Sequence, residues 1–77
     1  MDIGSAVRER INEYLKERNI TVNKLASLSD MTQSTLSNLM NSDTQKPTVF
    51  SIQKICSGLD VSLSEFFSSD VFTDVTP

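Results

Sequence analysis

The 77-residue chain is 38% hydrophobic and 22% charged, with a formal net charge of −3, two glycines, two prolines, one cysteine and no histidine. Its length allows one domain around one small core, and its composition excludes a disordered or low-complexity chain. A lone cysteine forms no internal disulfide, the missing histidine excludes the common zinc sites and Ser-His or Cys-His nucleophiles, and the acidic balance argues against a nucleic-acid binder relying on bulk electrostatics.

The first predicted helix runs from about Ser5 to Arg18, with Ser5 as a plausible N-cap. Val7, Ile11, Tyr14 and Leu15 fall at i, i+4, i+7 and i+8, one helical stripe, among Arg, Glu, Lys and Asn. Asn19 stands where a left-handed C-terminal residue is expected. Thr21 is the N-cap type that opens a second helix, ending near Ser29, with Leu25, Ala26 and Leu28 facing inward. Asp30 occupies a sharp turn that would favour glycine. Thr32 caps a third helix, QSTLSNLMN, whose buried stripe is Leu36, Leu39 and Met40. Gln33, Ser34, Ser37, Asn38 and Asn41 fall on the opposite face by the same period.

Asn41 to Pro47 reads as a loop, and Thr48 caps a fourth helix over Val49–Leu59 that buries Val49, Ile52, Ile55, Cys56 and Leu59. Asp60 is a second aspartate at a helix end. Ser62-Leu-Ser-Glu65 is a capping box for a fifth helix, about Leu63 to Ser68, with Leu63, Phe66 and Phe67 on its apolar side. Five short helices, no convincing strand and connections of roughly two to seven residues predict an all-α fold. No run of about 18 apolar residues is present, so no transmembrane helix is expected, and the charged N-terminus lacks an apolar signal core, so a cytoplasmic location is expected. With no Gly-rich phosphate loop and no carboxylate cluster at metal-ligand spacing, the reading is not an enzyme, with no cofactor, no metal and no evident small-molecule ligand.

Two stretches carry a family pattern. LASLSDMTQSTLSNL (Leu25 to Leu39) has Leu-Ala on helix 2, the turn, a hydroxyl cap and a polar helix beginning with Gln. KPTVFSIQKICSGLDVSLSEFF (Lys46 to Phe67) has the Pro-capped helix 4, a Leu-x-Val hinge and a Ser-Leu-x-x-Phe closing helix. In order and at this separation they make the chain resemble the phage-repressor/Cro-type helix-turn-helix domain of the Xre family, over roughly Val7 to Phe67. The resemblance implies a compact five-helix, lambda-repressor-like DNA-binding domain over residues 1–68, with the helix-turn-helix at helices 2 and 3, and a C-terminal tail over 69–77. The departures are Asp30 and Asp60 at two family glycine positions and Val22, beside Asn23, where many members place a phosphate-contacting Gln. After helix 3, Met40, Asn41, Ser42 and Asp43 leave Lys46 as the only loop cation.

The expected function is sequence-specific DNA binding by a transcriptional regulator, a repressor, with helix 3 (residues 32–41) in the major groove. Gln33, Ser34, Ser37 and Asn38 are the candidate base readers, because amides and hydroxyls donate and accept at base edges, and the resemblance points to the same positions. Thr21, Asn23, Thr32, Thr35, Asn41 and Lys46 are the candidate phosphate contacts, placed at helix starts and ends. Residues 1–54 carry all seven basic residues and six acids, whereas residues 55–77 carry four acids and no base. The DNA end is therefore near neutral, and a homodimer on a pseudo-palindromic double-stranded operator is the simplest source of extra grip. Phe66, Phe67, Val71 and Phe72 are the candidate dimer contact. The alternative is a non-catalytic protein-interaction module of the same fold, antitoxin-like or regulator-binding.

Overall fold

The computed structural model describes residues 1–41 and 46–76; the middle of the expected loop, 42–45, and Pro77 lie outside the described residues. The described residues form α1 (Ile3–Arg18), α2 (Val22–Leu28), α3 (Gln33–Asn41), α4 (Val49–Leu59), α5 (Leu63–Phe66) and a short 3-10 turn, Asp70–Phe72. None of the helices is long and apolar enough to cross a membrane.

Side-chain oxygens start the helices. Thr21, Thr48 and Ser62 accept from the N–H groups of Lys24, Ser51 and Glu65, as their sequence positions predict. α1 begins two residues before the expected Ser5. The Asp2 carboxylate takes the Ser5 N–H at 2.7 Å, and that bond holds the carboxyl below its ordinary range. Ser5 instead lies inside the first turn and accepts from Arg8 at 3.2 Å.

Three helices end alike. Asn19, Asp30 and Asp60 have φ of 54°, 54° and 59°. The next residue's N–H returns to a carbonyl five back: Ile20 to Leu15 at 3.0 Å, Met31 to Ala26 at 2.9 Å and Val61 to Cys56 at 3.0 Å. Ile20, Met31 and Val61 then pack on the core, which is the apolar contact that accompanies such a closure. An aspartate there bears both the left-handed backbone and a negative charge at the negative end of a helix. Asp60→Gly is therefore expected to stabilise the fold by about 0.5–1 kcal/mol, read as a higher thermal midpoint.

The core joins Val7, Ile11 and Tyr14 of α1, Leu25 and Ala26 of α2, and Leu36 and Leu39 of α3. Ile52, Ile55, Cys56 and Leu59 of α4 and Phe66 of α5 complete it. Leu28, Val49 and Leu63, expected on apolar faces, are outside it. Leu28 is 47% exposed, and the small Ser29 is buried in its place. The reason is the approach of α4: a Cβ on Gly58 would lie 2.9 Å from the Leu28 carbonyl carbon and oxygen, so α2 presents only a small side chain there. Val49 is 74% exposed, because the first turn of α4 projects past the core that begins at Ile52.

α5 is shorter than expected, and the tail folds back. Ser69 caps the 3-10 turn, which packs against α1, and the Thr76 N–H bonds to the Met1 carbonyl at 3.0 Å. Phe66 sits among Tyr14, Phe67 and Phe72, with ring centroids 6.1, 5.0 and 6.1 Å away.

Candidate nucleic-acid interface

The back of α3 is fixed by Leu36 and Leu39, both buried, with Met40 packed beside them. That orientation turns Gln33, Ser34 and Asn38 to solvent, with Ser37 half-buried at their margin. Residues at i, i+1, i+4 and i+5 share one side of a helix, so the four expected base readers form one polar face. The Thr32 hydroxyl accepts the Thr35 N–H at 3.2 Å and shares a 2.7 Å hydrogen bond with the Thr35 hydroxyl. This cap fixes the start of α3 and leaves one hydroxyl proton of the pair free of it. Thr21 and Asn23 are exposed at the start of α2, and Asn41 is exposed at the end of α3. Lys46 is placed differently: it lines a groove of about 470 Å³ with Ile3, Val7, Val49, Ile52 and Phe67, between the starts of α1 and α4.

Among the helix-1 cations, Arg8 donates to the Ser5 hydroxyl, and Arg10 and Arg18 hold backbone carbonyls of their own chain. Arg10 donates to the carbonyls of Phe66 at 2.7 Å and Glu65 at 2.9 Å, to the Tyr14 hydroxyl at 2.8 Å and to Glu13 at 3.0 Å. Its guanidinium carbon stands 4.3 Å from the Tyr14 ring centroid. Arg18 donates to the Leu59 carbonyl at the end of α4. Both arginines thus cap helix C-termini, where orphan carbonyls and the helix dipole favour a cation. The composition shows these charges, but their carbonyl partners lie 41 to 56 residues away in sequence. The local pairs, Arg10 with Glu13 and Tyr14, lie within one turn of the helix, where sequence spacing can show them.

Burial pushes the Cys56 thiol up, away from a reactive thiolate, in keeping with its place on the buried stripe of α4. Burial also raises Tyr14, whose hydroxyl accepts from Arg10.

Of the expected dimer residues, Phe66 has no exposed surface, Val71 and Phe72 are half-buried in the 3-10 turn that packs on α1, and Phe67 remains exposed. Phe66 therefore belongs to the protomer's own core. Sequence reasoning missed the apolar surface at the start of α4, where Val49 and Phe50 are exposed and Val49 shares a groove with Phe67. The helical period alone placed Val49 inward.

A short capped helix, a left-handed turn and a second helix with a polar outward face, held on three supporting helices, define a helix-turn-helix DNA-binding domain. The helix-turn-helix family model HTH_3 matches residues 11–66, and the chain belongs to this family of Xre-type DNA-binding regulators. The chain is also similar to protein 11 of the prophage Lp1, seen in a crystal structure. The TM-score is 0.81 at 30% sequence identity, covering 97% of this chain and 100% of that one. No curated protein matches the chain.

Proposed function

We propose that the chain is a sequence-specific transcriptional repressor that binds a pseudo-palindromic operator as a homodimer, with α3 of each subunit in the major groove. The observation that carries this reading is the polar face of Gln33, Ser34, Ser37 and Asn38 on a helix whose apolar back is locked into the core. A Gln or Asn amide donates and accepts at once, matching the N6 and N7 edge of adenine, and the serine hydroxyls adapt to either role. Thr21 and Asn23 at the start of α2, Thr32 and Thr35 at the start of α3, and Asn41 and Lys46 after its middle contact phosphates and set the register. Dimer contact runs through Phe67, with Val71 and Phe72 supporting it from below.

Grip is modest on this reading, because Arg10 and Arg18 hold carbonyls of their own chain. The log–log salt slope is then shallow, with about two or three phosphates neutralised per subunit. Gln33→Ala and Asn38→Ala are each expected to weaken the operator complex by roughly tenfold or more and to leave affinity for random DNA unchanged. Unchanged binding to every sequence by both variants defeats the base-reading role. Sedimentation tests the homodimer: the reading requires two chains per operator, and one chain on and off DNA contradicts it.

The protein-interaction module of the same fold remains the second reading. The exposed Ile3, Val49 and Phe67 around one groove favour it. Failure of the wild-type chain to prefer any duplex sequence would favour it further.

A further inference from the structure

A second groove, of about 340 Å³, lies between the start of α3 and the start of α4. Thr32 and Thr35 line it from α3; Thr48, Phe50, Ser51 and Lys54 line it from α4; Asp30 closes the end at the turn. Its position is continuous with the helix-turn-helix, since Thr32 and Thr35 belong to both. Phe50 is 72% exposed. Successive residues on a helix point about 100° apart, so Val49 turns into the groove with Ile3 and Phe67 while Phe50 turns into this one.

The lining has the chemistry of a nucleotide backbone in negative image. Thr48 donates its hydroxyl proton to Ser51 at 3.1 Å, which leaves the Ser51 proton available to an outside acceptor. The Thr32–Thr35 pair likewise keeps one proton outside its own hydrogen bond. Lys54, one turn beyond Phe50 on the same side of α4, adds an ammonium. Two O–H donors and a cation fit a phosphate, and an exposed ring beside them fits the C–H face of a sugar. The Asp30 carboxylate repels phosphate from the turn and favours the Lys54 end.

We propose that Phe50 is a DNA-contacting residue: its ring packs on the deoxyribose of the strand flanking α3, and Lys54 faces the adjoining phosphate. The inference rests on the reading that α3 faces DNA. The contact is independent of base sequence, and it supplies apolar affinity to an interface poor in cations.

The test is binding of the full chain to a random-sequence duplex of about two helical turns and to a selected site, across a salt series. Phe50→Ala weakens both complexes by a similar factor, roughly fivefold to tenfold, with an unchanged salt slope. Lys54→Gln lowers the slope by about one. Thermal midpoints stay near wild type, because Phe50 is exposed. Equal affinity of Phe50→Ala and wild type on both duplexes overturns the proposal. A loss confined to the selected site overturns it in favour of a base contact, and a changed sedimentation behaviour overturns it in favour of a subunit contact. If Gln33→Ala loses operator preference while Phe50→Ala changes nothing, this inference alone fails. If the wild-type chain binds neither duplex, the underlying reading fails with it.

Discussion

Gly58→Ala is expected to cost about 2–3 kcal/mol and to lower the thermal midpoint by roughly 10–20 °C. On an isolated helix the same change would gain up to about 1 kcal/mol, because alanine is the better helix former. Tertiary packing reverses the sign. The added Cβ meets the Ser29 hydroxyl and lies 2.9 Å from the Leu28 carbonyl carbon and oxygen. A side chain can rotate away, but the end of α2 cannot move without dragging the turn that aims α3. Ser29 also carries a buried hydroxyl with no hydrogen-bond partner among the described residues. Ser29→Ala is therefore expected to be neutral or slightly stabilising, and the double variant recovers only part of the Gly58→Ala loss. Thermal unfolding of the four proteins checks this. Full recovery would show that the hydroxyl, and not the α2 backbone, sets the limit.

Arg10→Ala is expected to destabilise by about 3 kcal/mol. The side chain is 13% exposed and holds two carbonyls at the end of α5, the Tyr14 hydroxyl and the Glu13 carboxylate. Removing it leaves the phenol without this donor inside the protein and frees the segment that carries Phe66. Arg10→Lys is expected to recover less than half, since one ammonium cannot span both carbonyls and stack on the ring. Urea unfolding measures both variants. A midpoint unchanged in Arg10→Ala contradicts the role assigned to it.

These two residues mark where the sequence stops being legible. Four of the five helix starts are readable because a cap is local: Thr21, Thr32, Thr48 and Ser62 all bond within three residues, whereas α1 is capped by Asp2 and not by Ser5. Helix ends were readable because Asn19, Asp30 and Asp60 tolerate left-handed backbone. The polar face of α3 followed from period alone. Gly58, by contrast, looks in sequence like a weak spot in a helix, and only the approach of α2 explains it. Arg10 looks like a solvated cation available to DNA, and only the fold brings carbonyls from 55 and 56 residues away to it. Leu28 and Val49 fail for a related reason. Periodicity assigns a face, but the partner's distance and the helix's reach past the core decide burial. The sequence offers the tail as a candidate dimer contact and does not fix its path; in the fold Phe72 packs on Phe66 and Phe67 of its own chain.

On the proposed reading, the candidate site is a near-neutral face on a well-braced scaffold. α2–α3 holds one lysine and one aspartate between Thr21 and Asn41, so discrimination must come from directional hydrogen bonds more than from charge.

Selection of bound duplexes from a random DNA pool shows whether α3 reads base sequence. The expected result is an enriched pseudo-palindrome with half-sites about one helical turn apart, and loss of base preference within each half-site in Gln33→Ala. A pool with no enriched sequence, or an enriched site unchanged by Gln33→Ala and Asn38→Ala, would contradict it.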